Sequence, residues 1–247
     1  MRTIYNESRQ QACRLAAAEL VARAKERLRE RDRLLIAVPG GRSVTPLLQE
    51  LGKAAFPFEQ CTLFLADERV LPEGHPDRND GQIIRTLRDT RLLTRTTGCT
   101  IETPRITVED PSSSALEYTA RLRRYGMVFD LLLLGVGEDG HVASLFPHAP
   151  QLNNTEAAYL PVFESPKPPS NRITVSPALI RASRWLVLLA FGPGKQTART
   201  ALDKVASPVA ELPASLAYAA GDSLLVTDLS PQGPGQTHQA RESSNGS

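Results

Sequence analysis

A histidine that closes a glycine turn two residues after an aspartate has the makings of a general base. On a turn at a strand's end the ring is expected to be exposed and to titrate near neutrality, and a neighbouring carboxylate can orient it. His141 meets that description in Gly135-Val-Gly-Glu-Asp-Gly-His141, with Asp139 beside it; Asp139, Asp67 and Glu68 are all candidates to orient its ring. Two other segments carry charge at the end of an apolar run. Asp67-Glu68-Arg69 reads either as a knot of ion pairs or as a catalytic acid, its orienter and a cation for substrate oxygens. Gly40-Gly41-Arg42-Ser43 reads as a glycine turn at a helix start, where backbone N–H groups attract anions and a missing side chain lets a phosphate approach. Lys195, after the glycine turn Gly192-Pro-Gly194, can bring a second positive charge to that phosphate. His75 and His148 fall in loops rich in proline and charge and are read as peripheral.

These residues need a scaffold that brings their turns together. Apolar runs at Leu34–Val38, Thr62–Leu65, Leu131–Val136, Trp185–Phe191 and Ser223–Thr227 are uninterrupted, as strands buried on both faces tend to be. Helical stretches are expected at 9–30, after Ser43, and at 80–93, 112–125 and 194–205. Ser43 or Thr45 is expected to cap the second of these, with Pro46 in its first turn. Strands alternating with helices predict an α/β protein built on a mainly parallel sheet. In such sheets ligands collect at the carboxyl ends of the strands, and all four informative segments sit there. Prolines 161, 166, 168 and 169 make 158–175 a small β excursion from this rhythm. One domain is expected over 1–229, followed by a polar tail at 230–247 with the composition of a disordered segment.

Gly135-Val-Gly-Glu-Asp-Gly140 also fits the dinucleotide pattern GxGxxG. The context argues against it. Pro147 leaves too little room for the crossover helix, and Pro161 spoils the strand that would carry the ribose-binding acid Glu164. The chain has 247 residues, 41% of them hydrophobic, and a net charge of +2, so nucleic acid is not an expected partner. Basic residues between Arg23 and Arg33 interleave with Glu26, Glu30 and Asp32, the pattern of a solvated helix face. Cys13, Cys61 and Cys99 form no zinc or disulfide pattern. Neither a signal peptide nor a run approaching the ~18 apolar residues of a membrane span is present, so a cytoplasmic protein is expected.

Asp67-Glu-Arg69-Val with His75, Gly137-Glu-Asp-Gly-His141-Val-Ala-Ser-Leu-Phe-Pro147, and Ser165-Pro-Lys-Pro-Pro169 followed by Arg172-Ile-Thr174 closely resemble the 6-phosphogluconolactonase family. The resemblance runs from about Leu34 to Asp228. It implies a Rossmann-like three-layer α/β/α fold shared with glucosamine-6-phosphate isomerases. It also implies hydrolysis of 6-phospho-glucono-1,5-lactone to 6-phosphogluconate, in the oxidative pentose phosphate pathway. His141 would activate water; Arg172 and Lys195 would join Gly40, Gly41, Arg42 and Ser43 on the phosphate; Asp67 and Arg69 would line the sugar site. The chain departs from the family pattern at Pro39 and Arg42, which leaves open whether Ser43 or Thr45 meets the phosphate.

A δ-lactone is an activated ester, so no metal, cofactor or covalent nucleophile is required, and a monomer is expected. Two other readings fit part of the same pattern. An amino-sugar phosphate isomerase/deaminase of the same fold would carry Phe-Asn-Glu-Pro after the histidine; here the stretch is Ser144-Leu-Phe-Pro147, with Phe146 in the place of the glutamate. A non-catalytic sugar-phosphate sensor is the other, and no DNA-binding module accompanies the domain to favour it.

Overall fold

Seven strands form one parallel sheet in a computed structural model that describes residues 1–41, 43–90, 98–204 and 207–231. In spatial order they are β1 (Arg2–Tyr5), β10 (Asp222–Thr227), β9 (Trp185–Ala190), β6 (Leu131–Gly135), β2 (Leu34–Val38), β3 (Cys61–Leu65) and β5 (Thr100–Ile101). The chain winds outward from β2 through β3 to β5, then returns to the other side of β2 for β6 and winds outward again. The reversal lies between β2 and β6. Loops leaving those two strands diverge to opposite faces and open a crevice between them.

Both faces of the sheet are covered, and the apolar runs supply both. Along β2, Leu34, Ile36 and Val38 pack into one core with Ala17 and Leu20 of α1 (Arg9–Arg27), Leu47 and Leu51 of α2 (Thr45–Lys53), and Ile83 and Leu87 of α3 (Asn79–Asp89). Leu35 and Ala37 point the other way. Their core includes Tyr118 and Leu122 of α4 (Pro111–Arg123), Leu179 and Ile180 of α5 (Pro177–Ala182), and Ala198 and Leu202 of α6 (Gln196–Asp203). This alternation of period two gives the expected three layers. A second, antiparallel sheet joins the same core: β4 (Asp67–Arg69), β8 (Arg172–Val175) and β7 (Tyr159–Val162), in that order.

Several local expectations change. The excursion at 158–175 is the pair β7–β8, and Pro161 does not spoil a strand but lies within β7. It does so at a sheet edge, where a missing N–H breaks no ladder. Neither Ser43 nor Thr45 caps α2: Val44 stands at the cap position without a side-chain bond, and Ser43 is engaged elsewhere. Edge strands β1 and β5 were not foreseen. The helix expected at 80–93 is seen as Asn79–Asp89, and residues 91–93 lie outside the described residues, as does the tail from 232. In the basic stretch, Arg27 pairs with Glu30, but Arg27 Nε and Arg31 Nη1 also reach the fully buried Asp130 at 3.0 and 2.7 Å. That carboxylate also accepts the Leu35 N–H at 2.8 Å. Part of the basic face therefore neutralises a charge inside the protein. No helix among the described residues is long and apolar enough to cross a membrane.

Candidate active site

Loops from the carboxyl ends of β2, β3, β6 and β9 converge on a cavity of about 280 Å³. Gly40, Ser43, Asp67, Arg69, His141, Arg172 and Lys195 all line it. Gly41, with φ of +86°, turns the chain just behind it. Arg42 lies outside the described residues.

His141 is held by its own turn. The Gly137 N–H donates to the His141 carbonyl at 2.8 Å, and the Gly140 N–H to the Gly137 carbonyl at 3.1 Å. Asp139 Oδ1 accepts the His141 backbone N–H at 3.3 Å and meets ring Nδ1 at 2.5 Å. Of the three carboxylates that could orient the ring, Asp139 is therefore the one in contact. Nδ1 donates to it, and Nε2 is left as the basic atom.

The ring is not exposed, as a turn histidine was expected to be. Its side chain is 18% accessible, and one face packs on buried Phe146 with centroids 4.6 Å apart. Burial pulls its pKa below the usual 6.5, the Lys167 ammonium pushes the same way, and the Asp139 hydrogen bond and charge only partly offset them. Burial tends to raise the Asp139 pKa, but the hydrogen bond and charge of His141, with Lys167, hold it below 3.8.

Asp67 and Glu68 divide their work by strand alternation. Glu68 points away from the cavity and is fully buried. It accepts N–H bonds from Arg69, Asn79 and Asp80 at 2.6–2.8 Å, anchoring the start of α3. Its burial pushes the carboxyl up to about 7, against those three bonds. Asp67 faces the cavity. Its Oδ2 accepts from Ser144 Oγ at 2.7 Å, and its Oδ1 accepts from Asn79 Nδ2 at 3.2 Å. The Asn79 carboxamide in turn lies against Gly40: a β-carbon there would stand 1.8 Å from Asn79 Oδ1. Asp67 is thus tied through Asn79 to the glycine loop of β2.

Lys195 donates from Nζ to Ser43 Oγ at 3.1 Å, so the loops after β9 and β2 meet at a cation and a hydroxyl. Burial lowers the Lys195 pKa from 10.5, and the cations Arg9 and Lys167 add to the effect; Glu138 and Asp228 oppose it. A half-buried ammonium beside a hydroxyl at a glycine turn is an arrangement that can receive an anion. Thr45 is not among the residues lining the cavity.

Arg172 has a different set of partners from the one its expected phosphate contact requires. Nε donates to the Pro169 carbonyl at 3.1 Å, and Nη2 donates to the Lys167 and Pro168 carbonyls at 3.0 and 3.1 Å. Nη1 reaches Ser144 Oγ at 3.4 Å and stands 4.0 Å from Asp67 Oδ2. Most of its guanidinium is spent on the 163–171 loop. Lys167, Asn79, Ser144 and Glu138 had received no role. Lys167, Ser144 and Glu138 stand inside the quoted motifs, which is a signal; Asn79 reaches Asp67 only through the packing of α3.

The chain matches the family model for glucosamine-6-phosphate isomerases/6-phosphogluconolactonase over residues 7–226. It is 35% identical to the 6-phosphogluconolactonase of Homo sapiens over 175 residues, 67% of this chain and 66% of that protein. It is 32% identical to that of Mycobacterium tuberculosis over 232 residues, 86% of this chain and 90% of the other. The crystal structure of a 6-phosphogluconolactonase from Shewanella baltica superimposes with a TM-score of 0.78 at 21% identity, covering 92% of this chain and 96% of that one. The chain belongs to the glucosamine-6-phosphate isomerase/6-phosphogluconolactonase family.

Proposed function

We propose that the chain hydrolyses 6-phospho-glucono-1,5-lactone to 6-phosphogluconate, the lactone-opening step of the oxidative pentose phosphate pathway. The observation that carries this reading is the surroundings of His141. Its Nδ1 meets Asp139 at 2.5 Å, while the residue against its face is Phe146 rather than a carboxylate. That is a base for water, without the glutamate of the isomerase pattern. The relatives named 6-phosphogluconolactonase support the same substrate class.

In this mechanism the phosphate sits against the Gly40–Ser43 loop and Lys195, and its binding orients the reacting carbon. Neutral His141 takes a proton on Nε2 as water attacks C1. The resulting tetrahedral oxyanion needs donors. The Gly137, Gly140 and His141 N–H groups are used within the turn, and Arg69, which lines the cavity and gives Nη1 to the Asp77 carbonyl at 2.5 Å, is the cation assigned to that role. The C1–O5 bond then breaks, the proton passes from Nε2 to O5, and the carboxylic acid ionises and releases one proton to solvent. Asp67, clamped by Ser144 and Asn79, serves as an acceptor for a sugar hydroxyl. Arg172 acts indirectly, by fixing the 163–171 loop.

The chain is expected to work in the cytoplasm as a monomer, on this small molecule alone; its near-balanced charge of +2 supports the absence of a nucleic-acid partner. Proton release from freshly prepared lactone, above the spontaneous rate, tests the reading. Ammonia release from glucosamine-6-phosphate would reverse it in favour of the deaminase. A thermal shift with 6-phosphogluconate but no turnover would reverse it in favour of a sensor.

A further inference from the structure

Besides the His141 ring, the Asp139 carboxylate meets a cation. Lys167 lines the cavity, and its Nζ stands 3.7 Å from Asp139 Oδ1, the same oxygen that binds His141 Nδ1. The mechanism above gives it no task. The loop that Arg172 fixes, with three hydrogen bonds to the carbonyls of Lys167, Pro168 and Pro169, is the one that carries this lysine. Ser165 adds two more: its Oγ donates to the Lys167 carbonyl at 2.9 Å and accepts the Lys167 N–H at 3.3 Å.

We propose that Lys167 is a positioning residue that shares the Asp139 carboxylate with His141, so that Asp139 holds the imidazole in place without holding a proton on it. A carboxylate hydrogen-bonded to an imidazole favours the imidazolium, which is useless as a base. A second positive charge on the same carboxylate opposes that charging while leaving the hydrogen bond intact. Such a balance depends on where the ammonium sits, and the bonds from Arg172 and Ser165 supply that placement.

Other charged groups also face His141. Glu138 and Asp139 come from its own loop, Asp67 and Arg69 from β4, Arg172 from β8 and Lys195 from the loop after β9. Of the cations lining the cavity, Lys167 is the one for which a bridge to Asp139 is seen. Both side chains of that bridge are partly exposed, so the interaction is moderate and screened by salt.

This task presupposes that His141 works as a neutral base, as in the proposed lactonase. Proton NMR of the full chain follows the four histidines through a pH titration, with His141→Gln assigning the resonance. In Lys167→Met the His141 midpoint should rise by about half a pH unit, shrink toward the unsubstituted value in high salt, and return in Lys167→Arg. An unchanged or lower midpoint in Lys167→Met would overturn the inference, whatever the substrate. The acid limb of lactone hydrolysis should move by the same amount. If the unsubstituted protein hydrolyses no lactone, the functional reading falls and the NMR titration still judges Lys167.

Discussion

The imidazole of His141 lies directly over the α-carbon of Gly137: a β-carbon added at Gly137 would stand 2.0 Å from Nδ1 and 2.6 Å from Asp139 Oδ1. The glycine is needed for the space it leaves above it, in which the His141–Asp139 pair sits. Gly137→Ala should therefore leave the fold intact and displace the ring. Turnover is expected to fall by roughly 10²–10⁴, the usual worth of a general base. Steady-state kinetics, with a thermal midpoint as control, check this, and near-normal turnover in a folded Gly137→Ala would remove the pair from the mechanism.

The pH dependence follows from the same pair. A base works only when deprotonated, so kcat/KM should be flat at alkaline pH and fall as pH drops through the His141 pKa, which burial places below 6.5. Asp139→Asn removes the negative charge that raises this pKa, so the acid limb should move lower still. The plateau should fall as well, because the orienting acceptor is lost. A pH–rate profile of both proteins measures the two effects separately.

Lys195 and Ser43 should act on binding. Lys195→Ala removes a charge-assisted contact to the phosphate, worth about 1.5–3 kcal/mol, and should raise KM by roughly 10- to 100-fold with a smaller change in kcat. Ser43→Ala loses a neutral hydroxyl and should cost about tenfold or less. Equal losses in kcat and kcat/KM for Lys195→Ala would place it at the reacting carbon instead.

Arg172 brackets three carbonyls with a planar fork that lysine lacks. Arg172→Lys should lower stability by about 2–4 kcal/mol, because buried acceptors are left unpaired. It should lower kcat as well as raise KM, since the loop carrying Lys167 loses its anchor. Denaturant unfolding and kinetics on the same preparation would show whether the two losses occur together.

Much of this arrangement was legible in the sequence, because buried parallel strands announce themselves as apolar runs and the strand ends then locate the loops. The convergence of Gly40, Asp67, His141 and Lys195 followed from that rule alone. Identity of the His141 partner did not. Asp139, Asp67 and Glu68 were equivalent on paper, and only the alternation of β4 sends Glu68 to the start of α3 and Asp67 to Ser144. The short edge strands β1 and β5 were missed because four and two residues carry too little periodicity. Pro161 misled for a related reason: a proline excludes an interior strand, whereas β7 is an edge. The exposure expected of His141 failed because Phe146 folds back over the ring from five residues further along the chain.

The role of His141 as the base of a lactone hydrolase is decided at the substrate itself. Proton release from freshly made 6-phospho-glucono-1,5-lactone is followed for the unsubstituted protein and for His141→Ala, each corrected for spontaneous hydrolysis. Rapid release is expected from the first and a rate near background from the second, with both proteins folded. Release by His141→Ala at the unsubstituted rate would contradict that role.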